Sequence, residues 1–364
     1  MKIKDVTSFL EQLAPLGLQE SYDNAGLLVG HPEKEVGKIL ITLDVTEQVM
    51  QEAVQGGFDL IVAHHPIIFK GLKKLNGKNL VERVVIQAIK EDIALYAIHT
   101  NLDNMLHGVN AKLGQKLGLK NLRILQSSSS SLKKVVVFVP SDYAEQVRLA
   151  MFASGAGHIG NYDSCSFNVG GEGTFRALNG AHPFVGEKGK LHVENEVRIE
   201  TIVPDFKLNE VLDAMLKVHP YEEVAYDVYP LDNISELTGA GMIGMLEQEM
   251  DAEAFLRMVK ERLQVKMLKF NKLIDRPVKK VAYCGGSGAF LIDRAAAAGA
   301  DVFITADVKY HDYFEHEGSM TIVDAGHYET EQFTKELLYE RLTEKFPTFA
   351  IQISKINTNP VEVL

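Results

Sequence analysis

The sequence predicts an α/β protein made of two similar, facing α/β halves around a metal cleft, with a smaller ferredoxin-like α+β module inserted between them. Three observations carry this expectation. Short apolar runs alternate with amphipathic helical stretches over residues 1–126 and again over 237–364, the pattern of a largely parallel sheet covered by helices. Residues 38–66 set above 280–308 without a gap coincide strand for strand, placing Lys38 on Lys280, Ala53 on Ala295, Gly57 on Gly299 and Asp59 on Asp301. Between the halves, a serine run at 127–131 reads as a linker into a segment of different rhythm. At 364 residues, the chain exceeds what one hydrophobic core usually serves. We therefore read 1–126 and 237–364 as one metal-binding domain and 127–236 as the insertion.

Taken in order, Ile3, Val6, Phe9, Leu10 and Leu13 recur at helical spacing over 3–14, and Pro15 and Gly17 close that helix. Residues 22–26 carry turn chemistry leading into a strand at 27–29. Strands at 38–43, 60–63 and 94–98 then alternate with helices at 47–55, 80–91 and 109–117. In the insertion, strands are expected at 133–139, 161–169, 171–177, 194–203 and 223–229, with helices at 142–153 and 206–218. That order resembles a split β-α-β module. The glycines of 239–244 mark re-entry into the first domain. Helices at 253–263, 290–298, 310–316 and 330–344 alternate with strands at 278–283, 302–305, 321–323 and 349–354.

A composition 46% hydrophobic and 24% charged is that of a soluble globular protein. The net charge of −11 and the lack of a basic stripe argue against nucleic acid as a partner. Cys165 and Cys284 lie far apart in sequence and in no metal-type spacing, which fits a reducing compartment. There is no signal-like start and no apolar run near 18 residues, so we expect a cytoplasmic protein without a membrane partner.

The chemistry concentrates at strand ends. The run Ile61-Val62-Ala63-His64-His65-Pro66 ends a strand on two imidazoles. Imidazole is the commonest metal ligand, and neighbouring side chains on a strand point to opposite faces, so His64 and His65 could each face one of two ions. Past the strand at 94–98 come His99 and Asp103, and past 321–323 come His327 and Glu331. Each pair has the i, i+4 spacing that shares a helix face, and the two pairs fall at corresponding points of the two halves. Four imidazoles and two carboxylates suit Zn, Fe, Mn or Co better than Ca or Mg. They are too many for one tetrahedral site and suit two ions about 3.5–4 Å apart, as in two-metal hydrolases. Asp307, with His311 and Asp312, is expected beside this cleft, orienting the ligating histidines. The Cys284-Gly285-Gly286-Ser287-Gly288 segment lacks the Lys-Ser/Thr of a P-loop and reads as a tight turn. His219-Pro220-Tyr221 in the insertion reads as a polar turn.

Taken together, Ser21-Tyr22-Asp23-Asn24-Ala25-Gly26-Leu27, His64-His65-Pro66, His99-Thr100-Asn101-Leu102-Asp103, Thr305-Ala306-Asp307 with His311, and Asp324-Ala325-Gly326-His327-Tyr328 with Glu331 resemble the Nif-three-like family. Its members are called GTP cyclohydrolase I type 2 homologues. The resemblance implies a dinuclear metal centre held by His64, His65, Asp103, His327 and Glu331. In that ligand set Glu331 bridges, His65 and Asp103 serve one ion, and His64 and His327 serve the other. It implies a homohexameric toroid, a dimer of trimers. His99 is left in the cavity as a candidate catalytic proton shuttle. The insertion is similar to PII- and CutA-like modules, which implies a cap over the ring that touches its symmetry mates. Two functions follow as expectations. One is a hydrolase using two divalent ions on a small substrate that the sequence does not name, with GTP ring opening as the family's namesake reaction. The other is a metal-binding regulatory or scaffold hexamer whose insertion senses a ligand or partner.

Overall fold

In the computed structural model, which describes residues 1–128, 132–233 and 235–364, the chain is mixed α/β, as the sequence predicts. It divides into two units, residues 1–127 with 236–364, and residues 128–235. In the first unit the early strands are β1 (Gly26–Val29), β2 (Lys38–Thr42), β3 (Leu60–Ala63), β4 (Ala94–Ala97) and β5 (Lys120–Ser127). The second unit contributes β6 (Leu132–Pro140), β7 (Ser166–Arg176), β8 (Leu191–Pro204) and β9 (Tyr226–Pro230). The first unit resumes with β10 (Gly239–Met250), β11 (Lys269–Phe270), β12 (Val278–Ser287), β13 (Val302–Ala306), β14 (Thr321–Asp324) and β15 (Ala350–Ile353).

Strands β3, β4, β13 and β14 are buried at every position. A parallel strand covered on both faces needs apolar or hydrogen-bonded side chains throughout, which is why these runs do not alternate. One sheet has the order β1-β4-β3-β2-β15, the other β11-β14-β13-β12-β10-β5. Within them β2, β3 and β4 run parallel, as do β12, β13 and β14. Strands β2 and β3, and β12 and β13, occupy the corresponding places that the alignment of 38–66 with 280–308 assigns them.

Helix Ile3–Leu13 buries Ile3, Val6 and Leu10, the stripe its spacing predicts. Helix Ala252–Arg262 buries Phe255, Leu256 and Val259. Its N-cap Asp251 accepts the backbone N–H groups of Glu253 at 2.9 Å and Ala254 at 3.1 Å. Asp251→Ala is expected to cost about 1 kcal/mol of stability, read as a lower urea midpoint at unchanged slope. No helix among the described residues is long and apolar enough to cross a membrane.

In the second unit, β6, helix Ala144–Ala153, β7, β8, helix Leu208–Val218 and β9 follow one another. The sheet order is β7-β8-β6-β9, with every neighbouring pair antiparallel. That is the ferredoxin-like arrangement of a split β-α-β.

Several sequence expectations need correction. The strands read at 161–169 and 171–177 are one strand, β7, because Gly170 and Gly171 stay in register with β8 and do not turn the chain. Strand β5 escaped notice: it runs up to the serines, and pairing with β10 holds it in place. Of the serine run, Ser127 ends β5 and residues 129–131 lie outside the described residues. The helix read from 330 to 344 is two, His327–Glu331 and Thr334–Lys345.

Candidate metal centre

Each residue of the site sits just past the carboxyl end of a buried strand. His64 and His65 follow β3, Asp103 ends the short helix Thr100–Asp103 after β4, and Asp307 follows β13. His327 and Glu331 bracket the five-residue helix after β14. Open α/β sheets place their sites at such strand ends, and here the ends of both sheets meet.

Glu331 is the centre of the arrangement and is 3% exposed. Its Oε2 lies 2.9 Å from His65 Nε2, 3.1 Å from His327 Nε2 and 3.9 Å from His64 Nε2. Asp103 Oδ1 lies 3.6 Å from His64 Nε2. The candidate ligand atoms thus gather as His64, Asp103 and Glu331, as His65, His327 and Glu331, and as His64, His65 and His99. The pairing expected from the resemblance differs, setting His65 with Asp103 and His64 with His327.

A second layer fixes the rings. His64 Nδ1 donates to the Ile98 carbonyl at 2.8 Å, His65 Nδ1 meets Asp44 Oδ1 at 2.7 Å, and His327 Nδ1 meets Asp307 Oδ2 at 2.7 Å. Metal-ligating histidines characteristically hold their far nitrogen this way. Asp44 in turn accepts the Thr358 hydroxyl at 2.7 Å, and Asp307 accepts that of Ser287.

The electrostatics follow from burial and partners. Burial pulls His64 down to about 3, so its imidazole is neutral. Burial acts in the same direction on His65, but hydrogen bonds to Asp44 and Glu331 overcome it and raise His65 to about 10. His327 is likewise lifted to about 9 against burial by Glu331 and Asp307. Burial would raise Glu331, yet His327 and His65 hold it well below the usual carboxylate range. Asp103 is pushed well above that range by burial and by the charge of Glu331.

Two buried atoms test whether a cation fits. His64 Nε2 and Asp103 Oδ1 have no hydrogen-bond partner. With Nδ1 committed to Ile98, His64 Nε2 carries a bare lone pair facing a carboxylate oxygen at 3.6 Å. Two lone pairs in a dry pocket repel, and a cation between them turns that repulsion into ligation. The donor set of imidazole and carboxylate fits such an ion.

The five residues assigned as ligands by resemblance therefore come together. His99 stands at their edge, its ring 5.3 Å from those of His64 and His65, with Phe69 against it at 5.6 Å. Its Nδ1 meets Asp23 Oδ1 at 2.8 Å. Burial would raise Asp23, but His99, Thr100 and the Asn24 backbone draw it down to about 2. Asp307 lies where the sequence put it, holding His327. His311 and Asp312 are not brought to the cluster: His311 packs on Tyr310 and Phe314, and Asp312 accepts the Lys309 N–H at 3.1 Å. Sequence reasoning missed Asp44. The signal was present, since Asp44 also stands just past a strand of the parallel triplet.

Asp44→Ala is expected to lower metal affinity about 10–100-fold while leaving all five candidate ligands in place, read by competition with a chromophoric chelator.

A family model described as Duf34/NIF3 (NGG1p interacting factor 3) matches residues 1–360. A Halalkalibacterium halodurans protein named GTP cyclohydrolase 1 type 2 homolog is 41% identical over 362 residues, covering 98% of this chain and 97% of that one. A Bacillus subtilis protein of the same name is 40% identical over 370 residues, covering 99% and 98%. Among solved structures, a Bacillus cereus protein related to NIF3 is 41% identical, covers 100% of this chain and 99% of its own, and superposes with a TM-score of 0.84.

Proposed function

The chain belongs to the Duf34/NIF3 family, and on that premise we propose that it is a hydrolase working with two divalent cations held by His64, His65, Asp103, His327 and Glu331. The observation that carries this is the pair of unpartnered buried atoms, His64 Nε2 and Asp103 Oδ1, beside a carboxylate that reaches three imidazoles. The donor set favours Zn, Fe or Mn. Such cations, when bound, supply Lewis acidity: they polarise a substrate oxygen and make hydroxide available near neutral pH.

The chain's own groups do the rest. Glu331 links the two sets of donors, since it faces His64, His65 and His327. The Ile98 carbonyl, Asp44 and Asp307 fix the three rings so that each presents Nε2 to the cluster. His99, with Nδ1 held by Asp23, can take a proton at Nε2 and return it to solvent or to a leaving group. Phe69 shields one side of that imidazole.

The name carried by the relatives points to GTP as the first substrate to try. Its hydrolysis would break the imidazole ring of the purine and release formate. The test is elemental analysis of protein purified without chelators, followed by formate assay with GTP. Two ions per chain and turnover lost in a His64→Ala, His65→Ala variant are expected. Turnover no higher than that variant's overturns GTP, and less than one ion per chain overturns the metal-dependent reading itself.

A further inference from the structure

The second unit contains a hollow of about 1000 Å³ lined by none of the metal-cluster residues. Its floor is a sheet face where β7 carries Gly171 and Gly173 in mid-strand. Glycine weakens a strand and brings no side chain to pack, and it marks places where a ligand or another backbone comes close. Side chains alternate along β7, so Gly171 shares a face with Phe175 and with its cross-strand partner Glu196. A Cβ added at Gly171 would meet nothing within 4 Å, so the floor is open there, while one at Gly173 would stand 2.2 Å from Glu196 Oε2, which puts that carboxylate against the floor.

The walls are aromatic. The ring of Tyr221 stands 6.0 Å from that of Phe175 and 6.3 Å from that of Phe184. Carboxylates outnumber cations around them: Glu196, Glu222 and Glu223 against Arg198. Arg198 is already paired with Glu200 at 3.0 Å. Two of the carboxylates are held in place. Glu196 accepts the Tyr221 hydroxyl at 2.9 Å, and Glu222 accepts the His182 backbone N–H at 2.6 Å. The second bond ties the loop between β7 and β8 across the hollow.

We propose that this hollow binds a small alkylammonium cation, seated over Gly171 between Phe175, Phe184 and Tyr221 with Glu196 as its counter-ion. Ring faces and carboxylates both attract an ammonium group, and partial removal from water strengthens the attraction to the rings. An apolar ligand would leave the acidic rim unmatched, and an anion would be repelled by it. This site goes beyond the hydrolase reading and stands whether or not that reading does.

The test is calorimetric titration of the full-length protein with choline, a quaternary ammonium, and putrescine, a primary one, with AMP as anionic comparator. Saturable binding of at least one amine is expected, and which of the two binds tells the kind of ammonium group the site takes. Phe175→Ala and Glu196→Gln should each weaken it about tenfold or more. Gly171→Val should abolish it by filling the floor, while the metal content and thermal midpoint stay at or above those of the parent, because valine favours strand. The proposal is overturned if neither amine binds at millimolar concentration, if Gly171→Val binds as the parent does, or if AMP binds in a way that Gly171→Val removes.

Discussion

Glu331→Ala should empty the proposed metal centre. Its carboxylate faces three imidazoles at 2.9, 3.1 and 3.9 Å, so its loss takes a donor from both sets at once. Elemental analysis is expected to fall from the proposed two ions per chain to background, and any hydrolytic turnover should fall with it. A stability cost accompanies the loss. In the metal-free chain Asp44 and Glu331 hold His65 charged and Glu331 and Asp307 hold His327 charged, and removing one partner of a buried pair costs about 3–5 kcal/mol. His327, 40% exposed, recovers part of that through water. We therefore expect a drop toward the lower figure, measured by chemical denaturation. Glu331→Gln keeps the shape and loses the charge. If it retained two ions per chain, the central role of this carboxylate would be refuted.

Gly286→Ala should damage the same centre from behind. Gly286 lies in β12 with φ +62, a conformation side chains rarely adopt, and a Cβ there would stand 2.2 Å from Glu331 Oε1 and 3.2 Å from His327 Nε2. The backbone has little room to yield. The Gly286 N–H donates to Thr330 Oγ1 at 3.0 Å, and its carbonyl accepts the Thr305 hydroxyl at 2.9 Å. Backbone strain of about 1–3 kcal/mol and a displaced Glu331 are expected together. The chain should remain folded by circular dichroism, with metal affinity lowered more than in Asp44→Ala. Unchanged metal content would mean that Glu331 can move without penalty, against the packing described.

Much of the site was legible because its signals are local. His64 and His65 end an apolar run, and helix His327–Glu331 joins its first and last residues at 3.1 Å, as i, i+4 spacing requires. His99 and Asp103 also reach the cluster, but not through a shared helix face. His99 is the N-cap of the helix, with φ −116 and ψ −116, outside the helical geometry on which the rule depends. Its Nδ1 meets Asp23, 76 residues away, while its ring stays 5.3 Å from those of His64 and His65. The strand at 120–127 was illegible because its place comes from pairing with β10 across the insertion.

The sequence alone determined the alternation of strands and helices, the repeated strand–helix–strand unit and the strand ends that carry the imidazoles. These follow from periodicity and turn chemistry, which act over a few residues. Only the tertiary structure decided that Glu331 meets His65 across 266 residues of chain, that Asp44 backs that histidine, and that glycines open a hollow in the inserted unit. Such contacts are set by how buried faces pack, and a residue's own neighbours in sequence carry no record of which distant side chain will fill the space before it.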